Sequence, residues 1–407
     1  MPNQAAINAN KRKAAASNGG PSLLNGEPAA KKAKSDDLPD AEKYGIVDRR
    51  FYPPEMSNAR CRQYTSGALP RPLAVLDAAL VETKAAREAI PVKDAVVHWY
   101  KCDLRTQDNK ALHLASEKAR SKNVPLICIY IVSPQDFEAH MTAPVRVDFI
   151  LRTLEVLKSD LAALDIPLYV ETVEKRAAIP GRIFELCEKW GVSHLFANIE
   201  YEVDELRREA RMVRAALEKG ICVTAVPDTC VVAPGELASQ QGKQYAVYSP
   251  WFRAWISYLR AHPKQLDLYP PPAKNPPTAR STFADLFESP VPDAPENKKL
   301  TEEEHTRFKS MWPPGEAEAH LRLSKFLKER VSKYQEARNI PAAGATAVLS
   351  VHFAAGTLSA RTAIAHARDV NTAKALDGGN PGVACWISEV AWRDFYKHVL
   401  ANWPFVW

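Results

Sequence analysis

Hydrophobic and polar positions follow different rhythms in successive parts of this 407-residue chain. Residues 1–40 have no rhythm: Ala, Asn, Ser, Lys and Pro succeed one another without apolar periodicity, which predicts disorder. Residues 41–90 give a weaker pattern, with Phe51, Tyr52, Pro53 and Pro54 expected to pack on the next domain. From Pro91, short β-branched runs at 95–98, 125–132, 167–173, 194–199 and 222–227 alternate with helical spacing at 110–121, 146–164, 182–190 and 204–219. Such alternation predicts buried parallel strands joined by right-handed crossovers, an α/β doubly wound sheet. Prolines recurring from Pro263 to Pro295 then forbid continuous helix or sheet, and predict an extended linker over the surface. Helical spacing returns at 315–336, 347–353, 359–367 and 383–400. The expected organisation is a leader and extension (1–90), an α/β domain (91–240), a Pro-rich linker (241–312) and an all-α domain, incomplete, at 313–407.

Bulk composition narrows the function classes. A hydrophobic content of 46% with 25% charged residues describes an ordinary globular chain. No apolar run approaches the roughly 20 residues that span a bilayer, and the N-terminus lacks a signal-peptide core, so no membrane partner is expected. The seven cysteines are scattered without a CxxC, and the ten histidines show no HxxxH, so no metal site is expected. No GxGxxG follows the first strand and no GxxxxGK[ST] occurs, which leaves dinucleotide binding or ATP hydrolysis by those motifs without support. A net charge of +6 is a mild bias towards polyanions. Lys11-Arg12-Lys13 and Lys31-Lys32-Ala33-Lys34 form two basic clusters across a small-residue spacer. They predict a partner in the nuclear import machinery and a location in the nucleus; the alternative is a solvated basic tail that adds affinity for DNA.

The chemistry concentrates in the last helical stretch. At about 100° per residue, Trp386, Glu389, Trp392, Arg393 and Tyr396 share an arc of roughly 120°. A core-facing helix would place Leu, Ile and Val there. Flat rings can stack on a planar ligand, while a carboxylate and a guanidinium can read its polar edges. The plainer alternative is an i,i+4 pair of Glu389 with Arg393 beside core aromatics. Two further places are singled out: Lys101, Asp103 and Arg105 after the first strand, and Glu200 to Glu205 after the fourth, where such sheets bind ligands. Asp204 and Glu205 would equally suit the first turn of a helix.

Residues 386–399 (WISEVAWRDFYKHV) resemble the WxxELxWRxFYxHx segment of the DNA photolyase/cryptochrome family, most closely that of class I cyclobutane pyrimidine dimer photolyases. Residues 95–112 resemble that family's opening strand and loop, and residues 242–255 its segment between domains. The resemblance implies an α/β antenna domain followed by a helical domain that binds FAD and DNA. It implies light-driven repair of cyclobutane pyrimidine dimers, an electron passing from reduced FAD to a flipped-out dimer. Glu389 and Trp392 would be catalytic, contacting the damaged pyrimidines. Arg338, Arg393 and Tyr396 would contact DNA with them. Tyr334, Thr346, Ala347, Val348, Leu349, Ser350, Trp386 and Arg393 would hold the flavin. Glu205 would hold an antenna chromophore, 5,10-methenyltetrahydrofolate. The partner would be damaged DNA, and the protein a monomer. Flipping such a lesion is physically reasonable, because a cross-linked dimer stacks and pairs poorly.

Two departures from the pattern stand out. Ala347 occupies a position where a hydroxyl is usual, and Val351 one that often holds Pro. The written end, Asn402 to Trp407, is apolar and aromatic, whereas family members continue. The chain is therefore expected to be a C-terminally truncated member. A cryptochrome-like blue-light receptor and an inactive truncated fragment stay open as alternatives.

Overall fold

The computed structural model describes residues 58–406 apart from 341 and 343. The basic clusters at 11–13 and 31–34 and the aromatic-proline stretch 51–54 lie outside the described residues. Among the described residues no helix is long and apolar enough to cross a membrane. The seven cysteines are all free.

Five parallel strands form one sheet in the order β3-β2-β1-β4-β5: β1 Ala95–Tyr100, β2 Leu126–Val132, β3 Leu168–Thr172, β4 Val192–Asn198 and β5 Cys222–Val226. Each strand begins and ends within two residues of the expected run. The central strands are apolar on both sides because both faces are covered. Ala95, Val97 and Trp99 of β1 enter one core, while Val96 and Tyr100 enter the other. The crossovers are α2 Lys110–Lys122, α3 Pro144–Ala162, α4 Ile179–Lys189 and α5 Val203–Glu218. Local chemistry sets several ends. Asn109 caps α2 by accepting from Leu112 N, and Asn123 closes it in the left-handed region at φ 52°.

The extension that the sequence left weak is helical from residue 58. Asn58–Thr65 is followed by α1 Pro72–Glu82, which opens on a proline at its first turn. Helix α1 packs along α5 and reaches the last helix. Arg71 Nε donates to Asn402 O at 2.7 Å.

The expected linker 241–312 is only partly a linker. Its first part forms α6 Tyr248–Ala261, whose Trp251 and Trp255 are fully buried in a separate helical core. The proline-rich remainder is stitched to the α/β surface. Asn275 both donates to Leu126 O and accepts from Leu126 N, each at 2.8 Å, finishing the open start of β2.

The helical part continues with α7 Glu316–Glu329, α8 Ser350–Ala355, α9 Ala360–Val370 and α10 Pro381–Asn402. The single helix expected over 315–336 breaks at Arg330. There the chain bends so that Val331 enters the core, 4% exposed, while its carbonyl and that of Ser332 meet Gly382 of α10. The helix expected from 347 starts at Ser350, because Val348 sits at φ 51° and cannot belong to a right-handed turn.

Candidate functional site

The strand order reverses between β1 and β4, and the chain leaves both strands at their carboxyl ends in opposite directions. Such a switch point opens a crevice. Here it is a cavity of about 630 Å³ with Trp99, Tyr130, Phe137, Ile150, Ile179 and Phe353 as apolar walls. Its polar lining comes from the two loops that the sequence singled out, and from elements that it did not.

Behind one wall runs a buried charge network. Lys101 pairs with Glu209 and, at 3.5 Å, with Glu200. Arg208 Nη2 donates to Glu200 Oε2 at 3.2 Å. Both cations also lie 5.1 Å from the Trp99 ring centroid. Burial opposes the charge on Lys101, yet Glu209 and Glu200 carry its pKa above the usual lysine range. Glu205 stands in the first turn of α5 and is 3% exposed. Its Oε1 accepts from Arg176 Nη2 at 3.0 Å and faces His140 Nε2 at 3.1 Å. Burial alone would raise this carboxyl, but His140, Arg208 and Arg176 outweigh it and hold the pKa down to about 2. Glu205 Oε2 is buried without a hydrogen-bond partner among the described residues. Asp204 pairs with Arg176 at 3.0 Å.

Asp136, His140 and Glu205 could bring ligand atoms within 4.8 Å of one another. Arg176 is already 2.9 Å from Asp136 and 3.0 Å from Glu205, so a guanidinium supplies the positive charge there. The cluster is an ion-pair network, into which a dication would enter against two neighbouring arginines.

Of the other two residues singled out in the first loop, Asp103 lines the cavity and Arg105 does not. Asp103 accepts from Lys101 N and from Asn198 Nδ2, both at 2.7 Å, and so ties the β1 loop to β4. Arg105 belongs to a buried clamp. It pairs with Asp228, which also accepts from Arg361 Nη2 at 2.5 Å, while Arg361 Nε donates to Asp108 at 2.8 Å.

The last helix, α10, has two working sides. Towards the α/β domain, Arg393 and Lys397 help line the cavity. Arg393 Nη1 donates to Thr229 O at 2.5 Å, and Lys397 pairs with Glu202. Towards solvent, Glu389 pairs with Arg338 across from the short helix Tyr334–Ala337, both side chains more than a third exposed. The alternative Glu389–Arg393 pair does not form. Trp392 is half-buried and Tyr396 is 62% exposed. Trp386 is 4% exposed and packs 5.3 Å from Phe326, which meets Tyr334 edge-on at 5.6 Å. The predicted arc is therefore divided among core, cavity and open surface.

In the turn before α8, Ala347 and Leu349 are buried, whereas Thr346, Val348 and Ser350 are exposed. Leu349 at the cap position gives the first amides of α8 no side-chain acceptor. Ser350, Phe353 and Ala354 lie on one face of α8 and line the cavity.

The sequence reading missed Asp136, His140, Arg208 and Lys397 as cavity residues, and Arg176 as the partner of Asp136 and Glu205 beside it. Lys397 was within reach, one turn beyond Arg393 on the same side. The others have no local signature, because three separate segments bring them together.

Comparison with known proteins agrees with this architecture. The family model for DNA photolyase matches residues 96–274. A Neurospora crassa protein named deoxyribodipyrimidine photo-lyase is 58% identical over 371 residues, covering 90% of this chain and 60% of that protein. A Saccharomyces cerevisiae relative, named as the mitochondrial deoxyribodipyrimidine photo-lyase, is 29% identical, covering 93% of this chain and 69% of its own length. This chain thus spans about 60% of the length of the Neurospora relative. A bacterial class III photolyase from Agrobacterium tumefaciens superposes with a TM-score of 0.61 at 22% identity, over 78% of this chain and 61% of the other. A Synechocystis cryptochrome superposes with a TM-score of 0.56 at 17% identity, covering 76% and 61% of the two chains. At those identities the structures speak for the fold, and the sequence comparisons show that residues 96–274 match the DNA photolyase family model and that 90% of the chain is similar to a protein named deoxyribodipyrimidine photo-lyase.

Proposed function

We propose that this protein repairs cyclobutane pyrimidine dimers in DNA with blue light, using FAD. One observation carries the reading: Glu389, Trp392 and Tyr396 share the open side of α10, with Arg338 beside Glu389. Trp392 offers a flipped base a stacking surface, and stacking of this kind is worth about 1–3 kcal/mol per base. Glu389 accepts hydrogen bonds from the pyrimidine edges once Arg338 turns to a flanking phosphate. FAD, reduced and excited by light, would supply the electron that opens the cyclobutane ring. The turn 345–350 fits the diphosphate end of such a cofactor through the exposed hydroxyl of Thr346 and the uncapped amides, while Ser350 lines the cavity on the α/β side. Trp386 and Tyr334 belong to the same buried cluster as Ala347 and Leu349 of this turn.

The cavity at the switch point suits an antenna chromophore. Glu205 Oε2 is a buried acceptor in need of a donor, which the amino-pyrimidine edge of 5,10-methenyltetrahydrofolate would provide. We also place the protein in the nucleus as a monomer. The two basic clusters support import, although the yeast relative is named mitochondrial. A fluorescent fusion carrying residues 1–57, with and without Lys31→Ala and Lys32→Ala, tests the location.

The first experiment is the absorption spectrum of the purified chain after incubation with FAD, followed by illumination with a dimer-containing oligonucleotide. A flavin band and restored pyrimidines are expected. Trp392→Ala should weaken dimer binding roughly tenfold or more. Flavin binding without repair, in a chain that still binds the dimer, would overturn the enzymatic reading in favour of light signalling. Glu205→Gln should lower folate retention while leaving the flavin band unchanged.

A further inference from the structure

The ring most intimately placed against Trp392 belongs to Tyr248, the first residue of α6. The two rings lie 3.6 Å apart between centroids and 8° from parallel. No other aromatic contact of the described residues is as close. The stack is not an accident of loose surface side chains, because both partners are held. Tyr248 Oη is 2.7 Å from Ser388 O, to which it donates, and 2.8 Å from Ser388 Oγ, one residue before Glu389. Burial pushes the Tyr248 phenol up to about 12, with Ser388 opposing, so this donor keeps its proton. Phe395 meets both rings edge-on, 5.5 Å from Trp392 and 5.6 Å from Tyr248, and Tyr396 lies 5.6 Å from the indole at 28°. Tyr248 itself rests on Phe252 at 5.5 Å and 19°, which rests in turn on the buried Trp255 at 5.8 Å.

We propose that Tyr248 is a positioning residue for lesion recognition: its ring backs the indole of Trp392 and its hydroxyl, through Ser388, fixes the turn of α10 that presents Glu389. This rests on the reading of Trp392 as the surface on which a flipped pyrimidine dimer stacks. The consequence is geometric. With one indole face covered by Tyr248, a flipped base can use only the other, where the exposed Tyr396 ring, 5.6 Å away, has to swing aside or share the stack. A free indole would have to be ordered when the lesion arrives, and that ordering would weaken binding. A backed indole is already in place. The hydroxyl adds a second hold, since Tyr248 spends it on the backbone of the recognition helix at Ser388.

The test measures dissociation constants of the FAD-incubated 407-residue chain for a dimer-containing and an undamaged oligonucleotide. Tyr248→Leu keeps apolar volume and removes the ring. It should weaken dimer binding about 3- to 10-fold, with undamaged DNA changed less than twofold. Tyr248→Phe and Tyr248→Trp, which keep a stacking ring, should recover most of the loss, Tyr248→Phe retaining the part that comes from the missing donor to Ser388. In a Trp392→Leu background, Tyr248→Leu should have no further effect on the ratio of the two constants. Additive losses in that background, or equal loss of damaged and undamaged DNA, would show a general packing role and overturn the proposal. So would a Tyr248→Leu chain that discriminates like the wild type. If Tyr248→Leu does not fold, the Tyr248→Phe and Tyr248→Trp ratios decide: both near wild type supports the stack, and loss in both overturns it. A Trp392→Leu chain that discriminates normally would sink the underlying reading of Trp392, a result distinguishable from failure of Tyr248 alone.

Discussion

Two carboxylates show how burial and partners set opposite pH responses within one molecule. Asp394 is fully buried, accepting from Val231 N at 2.7 Å, Val232 N at 3.3 Å and Trp255 Nε1 at 3.4 Å, with Arg393 3.9 Å away. Burial raises its pKa from 3.8 to about 6, against the lowering by Arg393 and those donors. The folded protein therefore keeps a proton that the unfolded chain has lost. Stability from this group is complete below pH 3.8 and is lost as pH rises through about 6. Comparing Asp394→Asn with wild type by urea unfolding should show the variant gaining about 3 kcal/mol relative to wild type between pH 4 and 7. Glu205 runs the other way. Its pKa is depressed from 4.5 to about 2, so its contribution is present above pH 4.5 and lost as pH falls through 2. Glu205→Gln should flatten that acid limb, read as the difference in unfolding midpoint between pH 5 and pH 2.5.

At the scale of elements, close approach of backbones fixes where helices can sit. Gly356, at φ 75°, ends α8 against Cys102 O and Asp103 Cα, closer than any Cβ could tolerate. Leu104 N donates to Ala355 O at 3.1 Å and Arg105 Nη1 to Gly356 O at 3.1 Å, so α8 is fastened to the loop that walls the cavity. Gly356→Ala should cost about 2–4 kcal/mol, from overpacking together with a left-handed backbone. It should weaken folate binding as well, because Phe353 and Ala354 move with the helix. Denaturant midpoints and a folate titration check both parts. The existence of these helices was legible in the sequence, with spacing at 359–367 and 383–400 becoming Ala360–Val370 and Pro381–Asn402. Their breaks were not. The bend at Arg330 and the left-handed Val348 answer to neighbours far away in sequence, and no local pattern marks them.

For the whole molecule, the joint between the sheet and the helices is ionic as well as apolar. Asp108 and Asp228 meet Arg105 and Arg361 with side chains at most 5% exposed, and Ser359 and Thr362 also donate to Asp108. Removing one partner leaves an uncompensated buried charge. Asp228→Asn should therefore destabilise the protein by about 3–5 kcal/mol, and added salt should neither mimic nor relieve the loss, since the pairs are shielded from solvent. Urea titrations at low and high ionic strength decide this.

Whatever repeats at short range could be read from the sequence alone. Strand runs and helical spacing declared the doubly wound sheet and the helical domain, because burial on one or two faces imposes a period on neighbouring residues. The mixed rings and charges around Glu389 and Trp392 set that helix apart from an ordinary core helix, because a core would not be built from those groups. Which side of that helix each residue serves was settled by packing in three dimensions. Arg393 went to the α/β domain because Thr229 O lies within its reach, Glu389 took Arg338 as its partner, and Trp386 sank beside Phe326. Packing also assembled the cavity around Glu205 from three distant loops, and drew Tyr248 out of an apparent linker onto Trp392. Most of these contacts join segments far apart in the chain, fixed by how layers pack rather than by any period that a single stretch can display.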